Sequence, residues 1–369
     1  MQMINYLKKE KVLCIALVLA LVSSLLVFPD REYLGYVDVR VLALLFCLML
    51  LVKGYQDMGL FDILIQKMLG GVKNSRTLSQ LLVLLCFFLS MLITNDVALI
   101  TFVPFAILAL KLCRQEKLMI PVVVLQTIAA NLGSMFTPIG NPQNLYLFSV
   151  SDLSLGAFFG TMLPLTALSL VLLLTATLLI PGDPIQVTME ESTKSLSTRD
   201  LIGYTVLFII NLLVVFRVIS WIPALLITVA GVLLLGKKKL LRQVDYALLL
   251  TFVGFFIFVG NMGRIPAISD LVAKLLTGRE ILMSALLSQF LSNVPAALLL
   301  SGFTNNIKGL LIGTNVGGLG TIIASMASLI SYKLYAAQPE ADKGRYMLVF
   351  TLYNVAGLVI LLAFSLIFY

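Results

Sequence analysis

Histidine is absent from the sequence, and only 12% of the 369 residues are charged. The absence of histidine removes the commonest metal ligand and the usual proton carrier near neutral pH, so proton coupling would require a carboxylate. A soluble domain carries about 25% charged residues. Because 60% of the residues here are hydrophobic, the composition predicts an all-α polytopic membrane protein rather than a soluble domain.

The cysteines and the basic residues exclude further classes of protein. The four cysteines, at positions 14, 47, 86 and 113, lie in or beside apolar runs without CxxC spacing. This pattern predicts neither disulfides nor a metal site. The net charge of +8 comes from Lys and Arg placed between the apolar runs, which indicates membrane topology rather than nucleic-acid binding. We therefore expect a lipid bilayer as the environment, no nucleic-acid partner and no cofactor.

Charge-free stretches of about 20 residues locate the membrane segments. They predict helices at 12–29, 38–54, 153–181, 201–216, 218–236, 246–262 and 346–369. The more charged stretches 55–70 and 262–277 are expected to be tilted or interfacial helices.

Two other apolar stretches are interrupted by polar residues near their middle. Residues 77–110 contain a single charge, Asp96, and basic residues flank both ends, which places both ends in the cytoplasm. Its 34 residues are too few for two comfortable crossings and a turn, so the stretch predicts a re-entrant hairpin with Thr94-Asn95-Asp96 at its tip. Residues 281–307 are uncharged and carry Ser292-Asn293-Val294-Pro295 at their centre, which predicts a second hairpin.

Each predicted hairpin is followed by an apolar segment that glycine, proline and polar residues break. The first segment, 118–151, is broken from Gly133 to Asn144, and the second, 309–332, is broken from Gly313 to Thr321. Non-helical backbone at membrane depth is tolerated only where protein or a water-filled cavity satisfies its polar groups. Paired interruptions in two halves of a membrane protein are the best sequence indication of a transporter's binding site.

The basic loops allow the crossings to be counted. They place the N-terminus in the cytoplasm and the C-terminus outside the plasma membrane, with the two hairpins entering from opposite faces. The chain is therefore predicted to contain two inverted repeats, residues 1–181 and 201–369, joined by a cytoplasmic linker at 182–200. In this comparison the patch that begins at Gly133 corresponds to the patch that begins at Gly313.

The hairpin tips and helix breaks supply amide and hydroxyl groups, together with the exposed backbone groups of helix ends. These groups suit a hard cation such as Na⁺ and a hydrogen-bonded anion, and we expect no catalytic residues. The predicted substrate- and ion-binding residues are Thr94, Asn95, Asp96, Gly133, Thr137, Pro138, Gly140, Asn141, Asn144, Ser292, Asn293, Gly313, Thr314, Asn315, Gly317, Gly320 and Thr321. The alternative is that these small residues only allow close helix packing.

Asp96 is the one carboxylate expected at membrane depth in the first half. Its burial costs about 2.5–3.5 kcal/mol on insertion scales, so a partner or a cavity is expected. One interpretation is a Na⁺ ligand or proton carrier, with Asn95 and Asn293 as further candidate Na⁺ ligands. The other is an N-cap for a helix over 97–110. Both remain open from the sequence.

The same motifs resemble the ion transporter superfamily over nearly the whole chain. Thr94-Asn95-Asp96-Val97-Ala98 and Ser292-Asn293-Val294-Pro295-Ala296 are similar to its hairpin tips, and the two glycine-rich breaks follow in the same order. This superfamily includes citrate-transporter-like permeases, divalent anion/sodium symporters, arsenite permeases and NhaD-type antiporters. The string Thr-Pro-Ile-Gly-Asn-Pro-Gln-Asn at 137–144 most resembles the bacterial anion permeases of the YbiR type.

The resemblance implies a homodimeric elevator transporter, in which the hairpins and broken helices move the substrate as one body. In the sodium symporters of this superfamily, Ser-Asn-Thr triplets at the tips bind Na⁺ and a substrate carboxylate. Thr94 and Asn95 match the first two residues, and Asp96 replaces the Thr. Ser292 and Asn293 match in the second tip, where Val294 replaces the Thr.

The expected function is therefore secondary-active transport of a small anion or oxyanion, coupled to Na⁺ or H⁺. Na⁺/H⁺ antiport through Asp96 and arsenite efflux are the alternatives within the superfamily. A membrane-embedded enzyme is disfavoured because the chain has no His, no paired Asp and no evident Ser/Lys arrangement. A passive channel is disfavoured because hairpins closed on opposite faces suit alternating access.

Overall fold

The computed structural model describes residues 11–61, 63–64, 72–185 and 196–369. These residues form helices, with one isolated β-bridge between Asn74 and Pro184. In chain order the α-helices are α1 (Lys11–Leu26), α2 (Tyr33–Tyr36), α3 (Val39–Asp57), α4 (Ser75–Ile93), α5 (Asn95–Leu112), α6 (Met119–Ser134), α7 (Pro142–Val150), α8 (Leu155–Leu178), α9 (Thr198–Val215), α10 (Trp221–Leu234), α11 (Tyr246–Gly263), α12 (Pro266–Leu276), α13 (Glu280–Leu291), α14 (Asn293–Ser301), α15 (Ile307–Val316), α16 (Met326–Ala336) and α17 (Lys343–Phe368).

The helix lengths confirm a polytopic all-helical membrane protein. Within the described residues, eight helical segments are long and apolar enough to cross a membrane, and α1, α10 and α13 are shorter apolar helices. Two predicted spans are shorter than expected. α1 ends at Leu26, three residues before the predicted end at residue 29. Residue 29 is a proline, which cannot continue a helix. α10 ends at Leu234, just before Gly236, which has a positive φ of 75°.

The helices pack in two groups. The first, which we call the framework group, contains α1–α3 and α9–α12. The second, the hairpin group, contains α4–α8 and α13–α17. The main contacts between the groups join α3 to α7 and α11 to α14. The two halves of the sequence are therefore interleaved, because each group takes helices from both.

The first predicted hairpin consists of α4 and α5, so it covers 75–112 rather than 77–110. A single non-helical residue, Thr94, separates the two helices. Because the turn uses one residue, the arms keep 19 and 18 residues, or about 28 Å at 1.5 Å per residue. The sequence argument that this stretch is too short for two crossings was wrong, since each arm alone has a sufficient length.

The second predicted hairpin is shorter than expected. It consists of α13 and α14 and ends at Ser301 instead of residue 307. A non-helical loop follows at 302–306, and Ile307 already begins α15. Ser292 is the single residue between the two arms, as Thr94 is in the first hairpin.

The two hairpins open beside opposite ends of α8. At the open end of the first, the backbone N–H of Ser75 donates to the carbonyl of Asp183 (2.9 Å), and Lys117 forms an ion pair with Asp183 (2.9 Å). At the open end of the second, the hydroxyls of Tyr146 and Ser301 are 2.6 Å apart. α8 connects the two regions with 24 residues, or about 36 Å of helix.

The broken segments have different bounds from those predicted. The first is a 3₁₀ turn at Glu116–Leu118, then α6, a break at 135–141, and α7. The second is α15, a break at 317–325, and α16, so it spans 307–336 rather than 309–332. Gly133 and Gly313 consequently lie within helices rather than in the breaks.

Two further boundaries are only partly covered by the described residues. Within the predicted linker at 182–200, residues 186–195 lie outside them, and α9 already begins at Thr198. In the predicted segment 55–70, α3 extends to Asp57, and residue 62 and residues 65–70 lie outside the described part. The other predicted segment, 262–277, contains α12.

Candidate functional site

The two hairpin tips have the same backbone geometry. Thr94 and Ser292 have positive φ values of 71° and 78°, which residues other than glycine seldom adopt. The next backbone N–H in each case donates to a helix break: Asn95 to the carbonyl of Gly140 (3.1 Å), and Asn293 to the carbonyl of Ala324 (2.9 Å). Each tip is thus held in a strained conformation by the broken segment that follows it in the sequence.

Side chains reinforce both contacts in the same way. The Thr137 hydroxyl donates to the carbonyl of Met91 (2.5 Å), and the Thr321 hydroxyl donates to the carbonyl of Gln289 (2.9 Å). Met91 and Gln289 each lie three residues before their tip. Thr137 and Thr321, both predicted as binding residues, therefore use their hydroxyls to attach the break to the hairpin.

These contacts define how the two breaks correspond. Gly140 and Ala324 are 184 positions apart, and so are Thr137 and Thr321. The same offset pairs Gly133 with Gly317. The sequence comparison paired Gly133 with Gly313, whereas the contacts of the two tips pair Gly133 with Gly317, four positions further along the chain.

Buried asparagines connect the two breaks and the first tip. Asn141 donates to Asn315 (3.0 Å), and Asn315 donates to Asn144 (2.6 Å). Asn95 donates to the side-chain oxygen of Asn131 (3.1 Å), which also accepts a hydrogen bond from a serine hydroxyl at 2.9 Å. Four of the predicted site residues thus belong to one buried polar region.

Two residues of this region were missed by the sequence analysis. Asn131 lies inside α6, before the visible break, and Ser325 precedes α16. Ser325 is the serine that donates to Asn131. The signal was present, because Asn131 precedes Asn315 by the same 184 positions. It could not be used without the correct pairing of the two breaks.

A cavity of about 340 Å³ lies between the hairpin group and the framework group. The hairpin group contributes Thr94, Asp96 and Asn141 to its wall, together with apolar side chains. The framework group contributes Lys53 of α3 and Asp245, the N-cap of α11. A mainly apolar cavity with a few converging polar groups is the usual form of a small-molecule site.

Several helix N-termini meet at this cavity. Thr94 precedes α5, Asn141 is the N-cap of α7, Met326 begins α16, and Asp245 is the N-cap of α11. The N-terminus of a helix carries a partial positive charge and attracts anions. These helix ends therefore add a partial positive charge to a wall that also contains Asp96, Asp245 and Lys53.

Asp96 is not the N-cap of the second arm, as one interpretation of the sequence held. It is the second residue of α5, which begins at Asn95, and the cap position is Thr94, which makes no side-chain cap bond. The Asp96 side chain lines the cavity and forms no hydrogen bond or ion pair with the described residues. An unpaired carboxylate at a cavity wall is a candidate ion-binding group.

Asn95 and Asn293 are buried and do not line this cavity, although each is next to a residue that lines a void. Their side-chain oxygens accept hydrogen bonds from the backbone N–H groups of Asp96 (2.9 Å) and Val294 (3.0 Å). The three candidate Na⁺ ligands Asn95, Asp96 and Asn293 thus do not share one wall. Ser292 borders a separate small void of about 20 Å³, which Asp245 also lines.

The remaining predicted residues do not line the cavity. The Thr314 hydroxyl donates to the carbonyl of Leu310 in its own helix (2.7 Å). Gly313 and Gly317 pack closely against α13, and Gly133 packs against the backbone of α4. Pro138 and Gly320 lie in the breaks, the latter with a φ of 104°.

Comparison with known proteins agrees with this geometry. A family model described as "Citrate transporter" matches residues 3–309. The "Inner membrane protein YbiR" of Escherichia coli is 34% identical over 340 residues, covering 90% of this chain and 88% of the relative. The "Uncharacterized transporter MJ0456" of Methanocaldococcus jannaschii is 31% identical over 344 residues, covering 93% and 94%. "Uncharacterized transporter Rv2684" of Mycobacterium tuberculosis is 25% identical over 234 residues, covering 59% and 51%.

The fold and these similarities define a multi-pass secondary transporter of the membrane. The chain belongs to the citrate transporter family. The resemblance to the YbiR type of permease within the ion transporter superfamily is confirmed.

Proposed function

We propose that this protein moves a small anion or oxyanion across the plasma membrane by secondary-active transport coupled to Na⁺ or H⁺. The observation that carries the proposal is the cavity between the two helix groups. Its wall joins an unpaired carboxylate, Asp96, to several helix N-termini. The carboxylate suits a cation or a proton, and the helix N-termini suit an anion.

The charges of the wall explain how the two ligands would be coupled. Asp96 and Asp245 are acidic, and Lys53 is basic. When Asp96 is ionised, the wall carries a net negative charge that opposes anion entry. When Asp96 holds Na⁺ or a proton, Asp245 and Lys53 balance each other, and the helix N-termini attract an anion. The cation therefore binds first, and anion binding depends on it.

We further propose that the protein works as an elevator built from two inverted repeats. The identical tip contacts in the two halves and the hairpins that open beside opposite ends of α8 support this arrangement. In this proposal the hairpin group moves relative to the framework group, which forms a homodimer. The hairpins are re-entrant, the N-terminus lies in the cytoplasm, and the C-terminus lies outside.

Na⁺/H⁺ antiport is the second candidate, since Asp96 alone could exchange the two ions without an anion. Flux into proteoliposomes distinguishes the two. We expect uptake of at least one anion from a panel of citrate, succinate, sulfate, phosphate and arsenite, driven by a Na⁺ or pH gradient imposed separately. Na⁺/H⁺ exchange with no anion flux would favour antiport. Absence of both kinds of flux would contradict the proposal.

A further inference from the structure

Lys53 is the charged residue among the side chains of α3 that line the cavity, the others being apolar. It lies four residues before the end of α3, where Leu45, Leu48 and Val52 also face the cavity. Among the described residues that line the cavity, it is the one that carries a positive charge. A lysine at membrane depth is costly and is usually associated with a substrate or ion pathway.

The ammonium group of Lys53 has unused hydrogen-bonding capacity. Its recorded hydrogen bond is to the side-chain oxygen of Gln56 in the same helix (3.1 Å). No carboxylate of a described residue lies within ion-pair distance of it. An ammonium group has three donors, so two remain for water or a ligand.

Lys53 lies on a different helix group from the polar residues of the hairpin motifs. Asp96 and Asn141 belong to the hairpin group, whereas Lys53 belongs to the framework group. Gln243 and Asp245 border the same cavity and are exposed, so the cavity reaches the surface next to the basic segment Lys238–Gln243. Lys53 therefore adds a positive charge to the part of the cavity wall that the framework group forms.

We propose that Lys53 is an anion-binding residue of the cytoplasm-facing site and supplies the positive charge that recognises the substrate there. This inference rests on the proposed transport of an anion and adds a residue that none of the hairpin motifs contains. Asp245 lines the same cavity as Lys53 and Asp96. Once Asp96 is loaded with a cation or proton, Lys53 is the charge that offsets Asp245, which makes the site accessible to an anion.

The alternative role is purely structural. A lysine near a helix end often extends its ammonium group to the membrane interface while its methylene groups cover apolar surface. In that case the charge of Lys53 would not affect reagents that enter the cavity. A measurement of the local electrostatic potential distinguishes the two roles and does not require the substrate to be known.

The potential can be measured with a cysteine in place of Val97, which also lines the cavity. Inside-out vesicles are treated with anionic sulfonatoethyl methanethiosulfonate or cationic trimethylammonioethyl methanethiosulfonate, and the ratio of the two reaction rates is determined. The parent chain without Val97→Cys gives the background of the native cysteines, three of which are buried.

In the Val97→Cys background, we expect Lys53→Met to lower the anionic-to-cationic rate ratio about tenfold, which corresponds to about 1.4 kcal/mol. Lys53→Gln should have the same effect, and Lys53→Arg should leave the ratio within about twofold. Lys111→Met is the matched control, because Lys111 hydrogen-bonds to Gln338 and borders a different cleft.

An unchanged ratio in folded Lys53→Met and Lys53→Gln would overturn the inference, as would a Val97→Cys side chain that neither reagent modifies from this side. A tenfold decrease together with no anion flux in proteoliposomes would show that the charge of Lys53 acts in the cavity, but it would reject both the proposed function and the anion-binding role that rests on it. An unchanged ratio with anion flux intact would reject the inference alone, so the two failures are distinguishable.

Discussion

The side-chain amide of Asn141 donates a hydrogen bond of 3.0 Å to the side-chain oxygen of Asn315, although 174 positions separate the two residues. Both side chains are buried. The bond joins the first helix break to the end of α15, the helix that precedes the second break. The two halves of the hairpin group thus meet through a pair of neutral amides, whose burial is favourable only while both are hydrogen-bonded.

This pair predicts non-additive effects on stability. Asn141→Ala and Asn315→Ala should each lower the melting temperature, because the remaining amide loses a partner. The double variant should be less destabilised than the sum of the two, with a coupling of about 1 kcal/mol. Thermal unfolding in detergent measures the effect. Asn305→Ala, at an exposed loop position, is the control, and strictly additive changes would show that the two amides are not coupled.

Asp96 should determine the ion dependence of transport. Asp96→Asn removes the negative charge but preserves the shape, and its structural cost is limited to the favourable interaction of a carboxylate with the helix N-terminus, about 0.3–1 kcal/mol. We expect a folded protein whose transport no longer responds to Na⁺ or pH.

The control for Asp96 is Asp270→Asn, since Asp270 is exposed on α12. Flux in proteoliposomes under separate Na⁺ and pH gradients provides the measurement. If Asp96→Asn retains the ion dependence of the wild type, the coupling ion must be bound by the neutral oxygens of the hairpin tips and breaks.

Glycines at the hairpin contacts should not tolerate a side chain. At Gly317 an added Cβ would lie 2.7 Å from the Cα of Ala285, and at Gly133 it would collide with the carbonyl of Phe87. Because the obstacle is backbone, we expect Gly133→Ala and Gly317→Ala to cost about 1–3 kcal/mol or more. Melting temperatures should fall clearly relative to wild type.

Two glycines of α8 serve as controls for this steric effect. An added Cβ at Gly156 or Gly160 meets no atom within 4 Å. Alanine there should be neutral or slightly stabilising, because alanine has the higher helix propensity. Equal destabilisation at all four positions would mean that the close contact of Gly133 and Gly317 with the hairpins is not the cause.

Cysteine labelling should test the orientation of the hairpins. Lys73 and Lys117 flank the first hairpin, and Lys308 follows the second; all three are exposed. Cysteines at 73 and 117 should react with an impermeant maleimide from the cytoplasmic side, and a cysteine at 308 from the outside. Labelling of 73 and 117 from opposite faces would contradict the predicted orientation, because both a re-entrant hairpin and two complete crossings return the chain to the same face.

The family resemblance predicts a homodimer. The detergent-solubilised protein should elute with the mass of a dimer, and cross-links between subunits should form through the framework group, away from Asn95 and Asn293. Light scattering combined with size-exclusion chromatography measures the mass. A monomer that still transports after reconstitution would contradict this prediction.

The class of protein could be predicted from the sequence because the relevant physical signals are local. Charge-free stretches indicate membrane helices whatever they pack against, and a polar triplet such as Thr94-Asn95-Asp96 indicates a helix interruption by itself. The single-residue turns at Thr94 and Ser292 fall within the predicted tips. Family membership followed from the same local strings.

The arrangement of the site depended on the tertiary structure, because it involves contacts between distant segments. The pairing of Gly133 with Gly317 became visible only through the hydrogen bonds of the two tips, since the second half has a shorter hairpin and loop. Asn131 looked like any polar residue in a helix until Asn95 and Ser325 were found to donate to it.

The sequence by itself therefore determined where helices form and where they break. Tertiary packing decided which broken ends meet, which of the predicted residues line the cavity, and that Lys53 of the framework group and Asp96 of the hairpin group line the same cavity. The physical reason is that helix formation depends on neighbouring residues, whereas a binding site depends on side chains brought together from separate helices.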